Sequence, residues 1–108
     1  MRIIHANQVN IAASEFPHPV LIDFFSRSCP PCTALSPVLE EIAVDFVGRI
    51  DFVKTDAMAV VESLKISASL GIRAVPTLIL FNNGTETARR TGVDFKATLA
   101  AWLQANLP

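Results

Sequence analysis

The chain has little with which to clamp a metal, attract a polyanion or cross a membrane. Its 108 residues include only two cysteines and two histidines. A structural zinc site takes about four nitrogen or sulfur ligands. Only His5 and His18 could complete such a set; their spacing is not that of a zinc motif, and His18 lies between two prolines. No metal is expected. Nine basic residues are scattered among ten acidic ones, for a net charge of -1, which leaves no electrostatic footprint for nucleic acid. No apolar run approaches the roughly 20 residues of a membrane helix. The start, Met1-Arg2-Ile3-Ile4-His5-Ala6-Asn7-Gln8, is broken by polar residues too early for a secretory signal core. Internal repeats, linkers and low-complexity stretches are also missing. The expectation is one soluble domain over 1–108, cytoplasmic and monomeric, with neither membrane nor nucleic acid as a partner.

What is present is apolar mass and one short motif. Hydrophobic residues make up 51% of the chain, enough for a packed core that buries roughly two-thirds of the unfolded surface. The two cysteines fall in Cys29-Pro30-Pro31-Cys32, directly after the apolar run Val20-Leu21-Ile22-Asp23-Phe24-Phe25. In a reducing compartment two lone cysteines suit redox chemistry better than structure. Both prolines fall in what reads as a helix's first turn, where missing N–H groups would have no intrahelical partner. Cys29 then stands at the helix N-terminus, where free N–H groups and the positive dipole end favour a thiolate. Two thiols so placed are arranged to form and break a disulfide. The rival reading, cysteines packed as small apolar residues, sits poorly with a double proline that fixes the loop.

Read in order, residues 2–5 are β-like, and Asn7 or Asn10 is a candidate cap for a helix reaching about Phe16. Pro17-His18-Pro19 ends it. Residues 20–26 read as a central parallel strand covered on both faces. From Cys29 to Phe46 apolar residues recur at helical spacing, and Pro37 should kink this helix without ending it. A strand over 50–54, closed by Lys54, precedes a helix over 57–70. A strand over 75–81 carries Pro76 at its entrance. Asn82-Asn83-Gly84 is a hairpin signal leading to a strand over 85–91. Asp94 is a candidate cap for a last helix with Phe95, Leu99, Trp102, Leu103 and Leu107 on its apolar face. The order βαβαβαββα implies an α/β fold, a mixed five-stranded sheet with helices on both faces. Helix-linked strands should cross over in parallel, with the late hairpin adding an antiparallel portion at one side.

Asp23 interrupts an otherwise apolar strand. Three apolar residues before it and two after favour burial, with a raised pKa, over a solvent-facing strand end. A buried carboxyl group beneath the second cysteine can take its proton and return it. Lys54 either lies beside Asp23 and moderates its pKa or is a solvated strand end. Whether the bond before Pro76 is cis is not readable from sequence alone.

Taken together these stretches resemble the thioredoxin family: Val20 to Phe24 with Asp23, Cys29-Pro30-Pro31-Cys32, Pro37, Lys54, Gly71-Ile72-Arg73-Ala74-Val75-Pro76-Thr77, and Phe81-Asn82-Asn83-Gly84 followed by Gly92. The resemblance implies the thioredoxin fold and a protein-disulfide reductase that works through its own redox-active disulfide and no other cofactor. It assigns Cys29 as nucleophile, Cys32 as buried resolving thiol, Asp23 as proton carrier and Lys54 as its neighbour. It makes Pro76 cis and places substrate contacts at Pro30, Pro31, Val75, Pro76 and Gly92. The implied partners are disulfide-containing proteins and a flavin- and NADPH-dependent thioredoxin reductase or similar donor. Two rival functions share the fold: a thiol oxidant or isomerase, and a non-catalytic binding module. Departures are Ser28 for the usual tryptophan before the first cysteine, Pro30 for glycine, Thr33 for lysine, and Phe25 for a second frequent tryptophan, which leaves Trp102 as the only indole. The helix over 57–70 also reads about three residues longer than is usual for the family.

Overall fold

The chain runs β1 (Arg2–Ile3), a 3-10 turn (Ala6–Gln8), α1 (Val9–Glu15), β2 (Val20–Phe25), α2 (Pro30–Asp45), β3 (Asp51–Asp56), α3 (Val61–Ser69), β4 (Thr77–Asn82), β5 (Thr85–Thr91) and α4 (Lys96–Ala105). This is a computed structural model, and it describes residues 1–108 apart from the side chain of Ile11. The strands form one mixed sheet in the order β1-β3-β2-β4-β5. β2 sits at its centre, parallel to β3 and antiparallel to β4.

Alternation along β2 sorts the core into two layers, because successive strand side chains point to opposite faces. Val20, Ile22 and Phe24 pack with Val9, Ala12 and Ala13 of α1 and with Ile66 beyond them. Leu21 packs on the other face with Leu35, Leu39 and Ile42 of α2 and Leu99 and Leu103 of α4. Helices therefore cover both faces, as the sequence predicts. Each fully buried aliphatic side chain of this kind contributes roughly 1.5–3 kcal/mol. Asp23 shares the parity of Leu21 and so points to the α2 face. Lys54, which shares parity with Phe52, points the same way, and the two are register partners across β2 and β3.

Helix α2 runs unbroken through Pro37. That proline is exposed, so the carbonyl four residues earlier, on exposed Thr33, can turn to solvent. Helix α1 stops at Glu15 because Phe16, held extended ahead of Pro17, leaves the helical region at ψ 142°. The β4–β5 hairpin turns through Asn83 at φ 52° and Gly84 at φ 81°. Two consecutive left-handed residues make the tight turn whose twist matches the strands.

Several local expectations are corrected. Neither Asn7 nor Asn10 caps α1; the chain enters it through the 3-10 turn, and Gln8 reaches back to the His5 N–H at 2.9 Å. β3 does not end at Lys54 but continues to Asp56, with Thr55 buried among its neighbours. α3 is shorter than 57–70, since residues 57–60 form a turn in which Asp56 accepts from the Met58 N–H at 2.9 Å. The N-cap position of α4 is Phe95 rather than Asp94, and Phe95 projects into solvent at 82% exposure. The largest correction is to connectivity. Phe25 is paired with Asp56 and Phe24 with Thr77, so the segment between β3 and β4 leaves and returns at one edge of the sheet. It is not a parallel crossover, and the antiparallel portion begins at β4 against β2.

Candidate active site

Three chain segments meet at that edge: the end of β2, the start of α2 and the approach to β4. Cys29 is the N-cap residue of α2, in extended conformation at φ -120° and ψ 98°, with Pro30 and Pro31 as the first two helical residues. The prolines leave Cys32 as the first residue of the helix able to donate a backbone hydrogen bond. Its N–H donates to Cys29 Sγ at 3.1 Å. Cys29 and Cys32 are joined in a disulfide, with Cα atoms 5.2 Å apart. Their exposures are 7% and 5%. Burial therefore does not distinguish the two sulfurs, but surroundings do.

Cys29 faces the loop before β4. Its Sγ lies 3.7 Å from the carbonyl oxygen of Val75. The Val75–Pro76 peptide bond is cis. Thr77 Oγ1 donates to the Ala74 carbonyl at 2.6 Å, and the Gly92 N–H donates to the Pro76 carbonyl at 2.9 Å. The first bond fixes the shape of the loop, and the second brings Gly92 beside it. Val75 itself precedes the sheet ladder, which starts at Thr77. Pro30 and Pro31, which follow Cys29 in the chain, are exposed.

Cys32 faces the other way. It shares a cleft of about 260 Å³ with Asp23, Lys54, Ser36, Phe25 and Arg27. Asp23 is 1% exposed, and its Oδ1 has no hydrogen-bond partner among the described residues. Burial disfavours its charged form and lifts its pKa from 3.8 to about 7, while the positive charge of Lys54 pulls in the opposite direction. The Lys54 ammonium does not sit on the carboxylate. It is 3.5 Å from Ser36 Oγ and 5.5 Å from the centre of the Phe25 ring. Sequence reasoning missed Ser36 and the part played by the Phe25 face. A signal for Ser36 existed: it lies four residues after Cys32, on the same face of α2.

Among the described residues no group of three or more His, Cys, Asp or Glu side chains is arranged to hold a metal ion. The chemistry on offer is that of the sulfurs and the carboxyl group. A disulfide closed across a strand-to-helix turn, with a carboxyl group titrating near neutrality in the same cleft, defines a dithiol–disulfide exchange protein.

The comparisons narrow that class. The family profile described as Thioredoxin matches residues 5–105. Thioredoxin of Pseudomonas aeruginosa is 37% identical over 89 residues, covering 82% of this chain and 80% of that one. Thioredoxin of Rickettsia bellii is 36% identical over 89 residues, 82% of each chain, and Thioredoxin 1 of a Nostoc species is 36% identical over 82% of this chain and 80% of its own. The chain belongs to the thioredoxin family. Its Cys29–Cys32 pair makes it a dithiol–disulfide oxidoreductase acting as a protein-disulfide reductase.

Proposed function

We propose that the chain, as a single domain over 1–108, reduces disulfides of protein substrates with Cys29 as the attacking sulfur and Cys32 as the resolving one. The observation that carries this assignment is the asymmetry of the pair. Cys29 receives the Cys32 N–H at the positive end of α2 and looks toward the Val75 loop, whereas Cys32 looks into the Asp23 cleft. In the dithiol form the helix terminus favours an anionic sulfur at Cys29. That thiolate attacks one sulfur of the substrate disulfide; a Cys29–substrate S–S bond forms, and the other substrate sulfur leaves as a thiolate that takes up a proton. Cys32 then passes its proton to the Asp23 carboxylate, directly or through water in the cleft. Its thiolate attacks Cys29 Sγ, closing the Cys29–Cys32 disulfide and releasing the second substrate thiolate, which is protonated in turn. Two electrons have moved from the pair to the substrate. Lys54 sets how readily Asp23 holds the proton.

An extended substrate segment docks along the backbone at Val75 and cis-Pro76, with Pro30, Pro31 and Gly92 forming the rest of the contact. The electrons are restored by a flavin- and NADPH-dependent thioredoxin reductase or an equivalent donor, in the cytoplasm, with the chain monomeric and free of any further cofactor. The test is reduction of insulin driven by dithiothreitol. Wild type accelerates it, Cys29→Ser does not, and Cys32→Ser accumulates a mixed disulfide with substrate. Full activity of Cys29→Ser refutes the assignment.

A further inference from the structure

The Lys54 ammonium is not where its attraction to the nearest carboxylate would put it. Lys54 and Asp23 are register partners on adjacent strands, with side chains on the same face of the sheet. Neighbouring strands run about 4.8 Å apart, well within the reach of lysine's flexible four-carbon stem. Asp23 is buried, and its Oδ1 has no hydrogen-bond partner among the described residues. An ammonium free to turn would settle on that oxygen. Instead it is held from two other sides, by Ser36 Oγ at 3.5 Å and by the Phe25 ring, whose centre is 5.5 Å away. The hydrogen bond is long, and the ring adds the attraction of a cation for a π face. Ser36 is half-buried on α2 and lines the cleft shared by Asp23 and Cys32.

We propose that Ser36 is a positioning residue of the reductase: its hydroxyl holds the Lys54 ammonium off the Asp23 carboxyl group, which keeps that group free to exchange a proton with Cys32. Held where it is, the charge lowers the Asp23 pKa only in part, and burial remains the larger influence. Released from Ser36, the ammonium reaches Oδ1, and an opposite charge that close lowers a carboxyl pKa by about one unit or more. The paired carboxylate is then a weaker base toward Cys32. The other groups around Asp23 do not substitute for Lys54. From α2 come Cys32, Ser36 and Thr33, and Thr33 Oγ1 donates to the Cys29 carbonyl at 3.4 Å. The loop after β2 brings Arg27, whose side chain is 89% exposed and drawn to Asp56 at 3.6 Å. On β4 the register partner of Asp23 is Leu78, which carries no charge.

This role rests on the reductase reading, and two readouts separate their failures. Wild type, Ser36→Ala and Ser36→Thr are first titrated in the disulfide form, by NMR of the Asp23 carboxyl carbon. Alanine is a strong helix former, so α2 keeps its course. The midpoint falls by about one pH unit in Ser36→Ala and returns to the wild-type value in Ser36→Thr, which restores a hydroxyl. In a Lys54→Gln background Ser36→Ala moves nothing, because no ammonium is left to release. The second readout is the single-turnover rate at which Cys32 displaces a chromophoric thiol from Cys29. Its rise with pH shifts down with the midpoint in Ser36→Ala, and its plateau drops roughly threefold as the base weakens. A midpoint unmoved in Ser36→Ala, or moved equally when Lys54 is absent, overturns the positioning role and leaves the reductase reading intact. A midpoint that moves while the rate profile does not overturns Asp23 as proton carrier, and Ser36 as its support. No thiol release by wild type overturns the reductase reading and this role together.

Discussion

Asp23→Asn is the perturbation that most directly reads the site's physical chemistry. In the unfolded chain this carboxyl group ionises near 3.8; in the fold, burial moves that to about 7. Between those values the folded protein holds the extra proton, so stability falls as pH rises through the window. The contribution is intact below about 3.8 and fully lost above about 7. At about 1.4 kcal/mol per pH unit, the separation amounts to about 4 kcal/mol. Asparagine has nearly the same shape and no charge to bury. The variant should therefore match wild type at pH 4, apart from a constant offset for its amide, gain on it up to about pH 7 and hold that gain to pH 8. With a urea slope of about 2 kcal/mol/M, the midpoints separate by a further 2 M or so across that range. The assay is urea unfolding of the disulfide form at closely spaced pH values, where neither cysteine titrates. Taking the difference between the two proteins cancels every other ionising group remote from the site. A gap that stays constant from pH 4 to pH 8 would falsify the burial argument for Asp23 and remove its proton-carrying role.

Two further outcomes follow from neighbouring features. Lys54→Gln removes the positive charge that holds the Asp23 pKa down, so the upper end of the pH window of the stability loss rises while its lower end stays near 3.8, which the same unfolding series detects. Leu39→Ala leaves a hole in a fully buried contact between α2 and the sheet; the expected loss is about 2–5 kcal/mol, and a loss under about 1 kcal/mol in chemical unfolding would show that this layer repacks freely.

The parts of the fold legible in the sequence were those where one residue breaks a strong pattern. Asp23 stood out because it interrupts a run that is buried on both faces, and the structure buries it at 1% exposure. The hairpin was legible because few residues tolerate two successive positive φ values, and Asn83-Gly84 is such a pair. Where patterns weaken, reading failed. Thr55 and Asp56 look like the polar end of β3, yet Thr55 continues the face of Val53 into the α1 layer. Met58, Val60 and Val61 fall at the start of the helix expected over 57–70 and are exposed, the first two in a turn that precedes α3. The position of Asp94 was misjudged by one residue: it accepts from the Phe95 N–H at 2.8 Å and from Arg90 at 2.6 Å instead of capping α4. Cys29 and Cys32 were legible as a redox pair from their spacing, and the two prolines already put Cys29 at the helix N-terminus; the Val75 loop beside one sulfur and the Asp23 cleft beside the other come from distant sequence and were not.

The misread connection between β3 and β4 is also what assembles the site. Had residues 57–76 crossed over in parallel, Pro76 would enter the sheet at the edge where β2 begins. Six residues of strand at 3.3 Å each put that edge roughly 20 Å from Cys29. Because the segment instead returns to its own starting edge, Val75 and the cis bond to Pro76 arrive beside the sulfurs, and Gly92 follows them as β5 runs back alongside β4. The return is made by a short α3 preceded by an exposed apolar turn, so the residues that reverse the chain also line a cleft beside Val75.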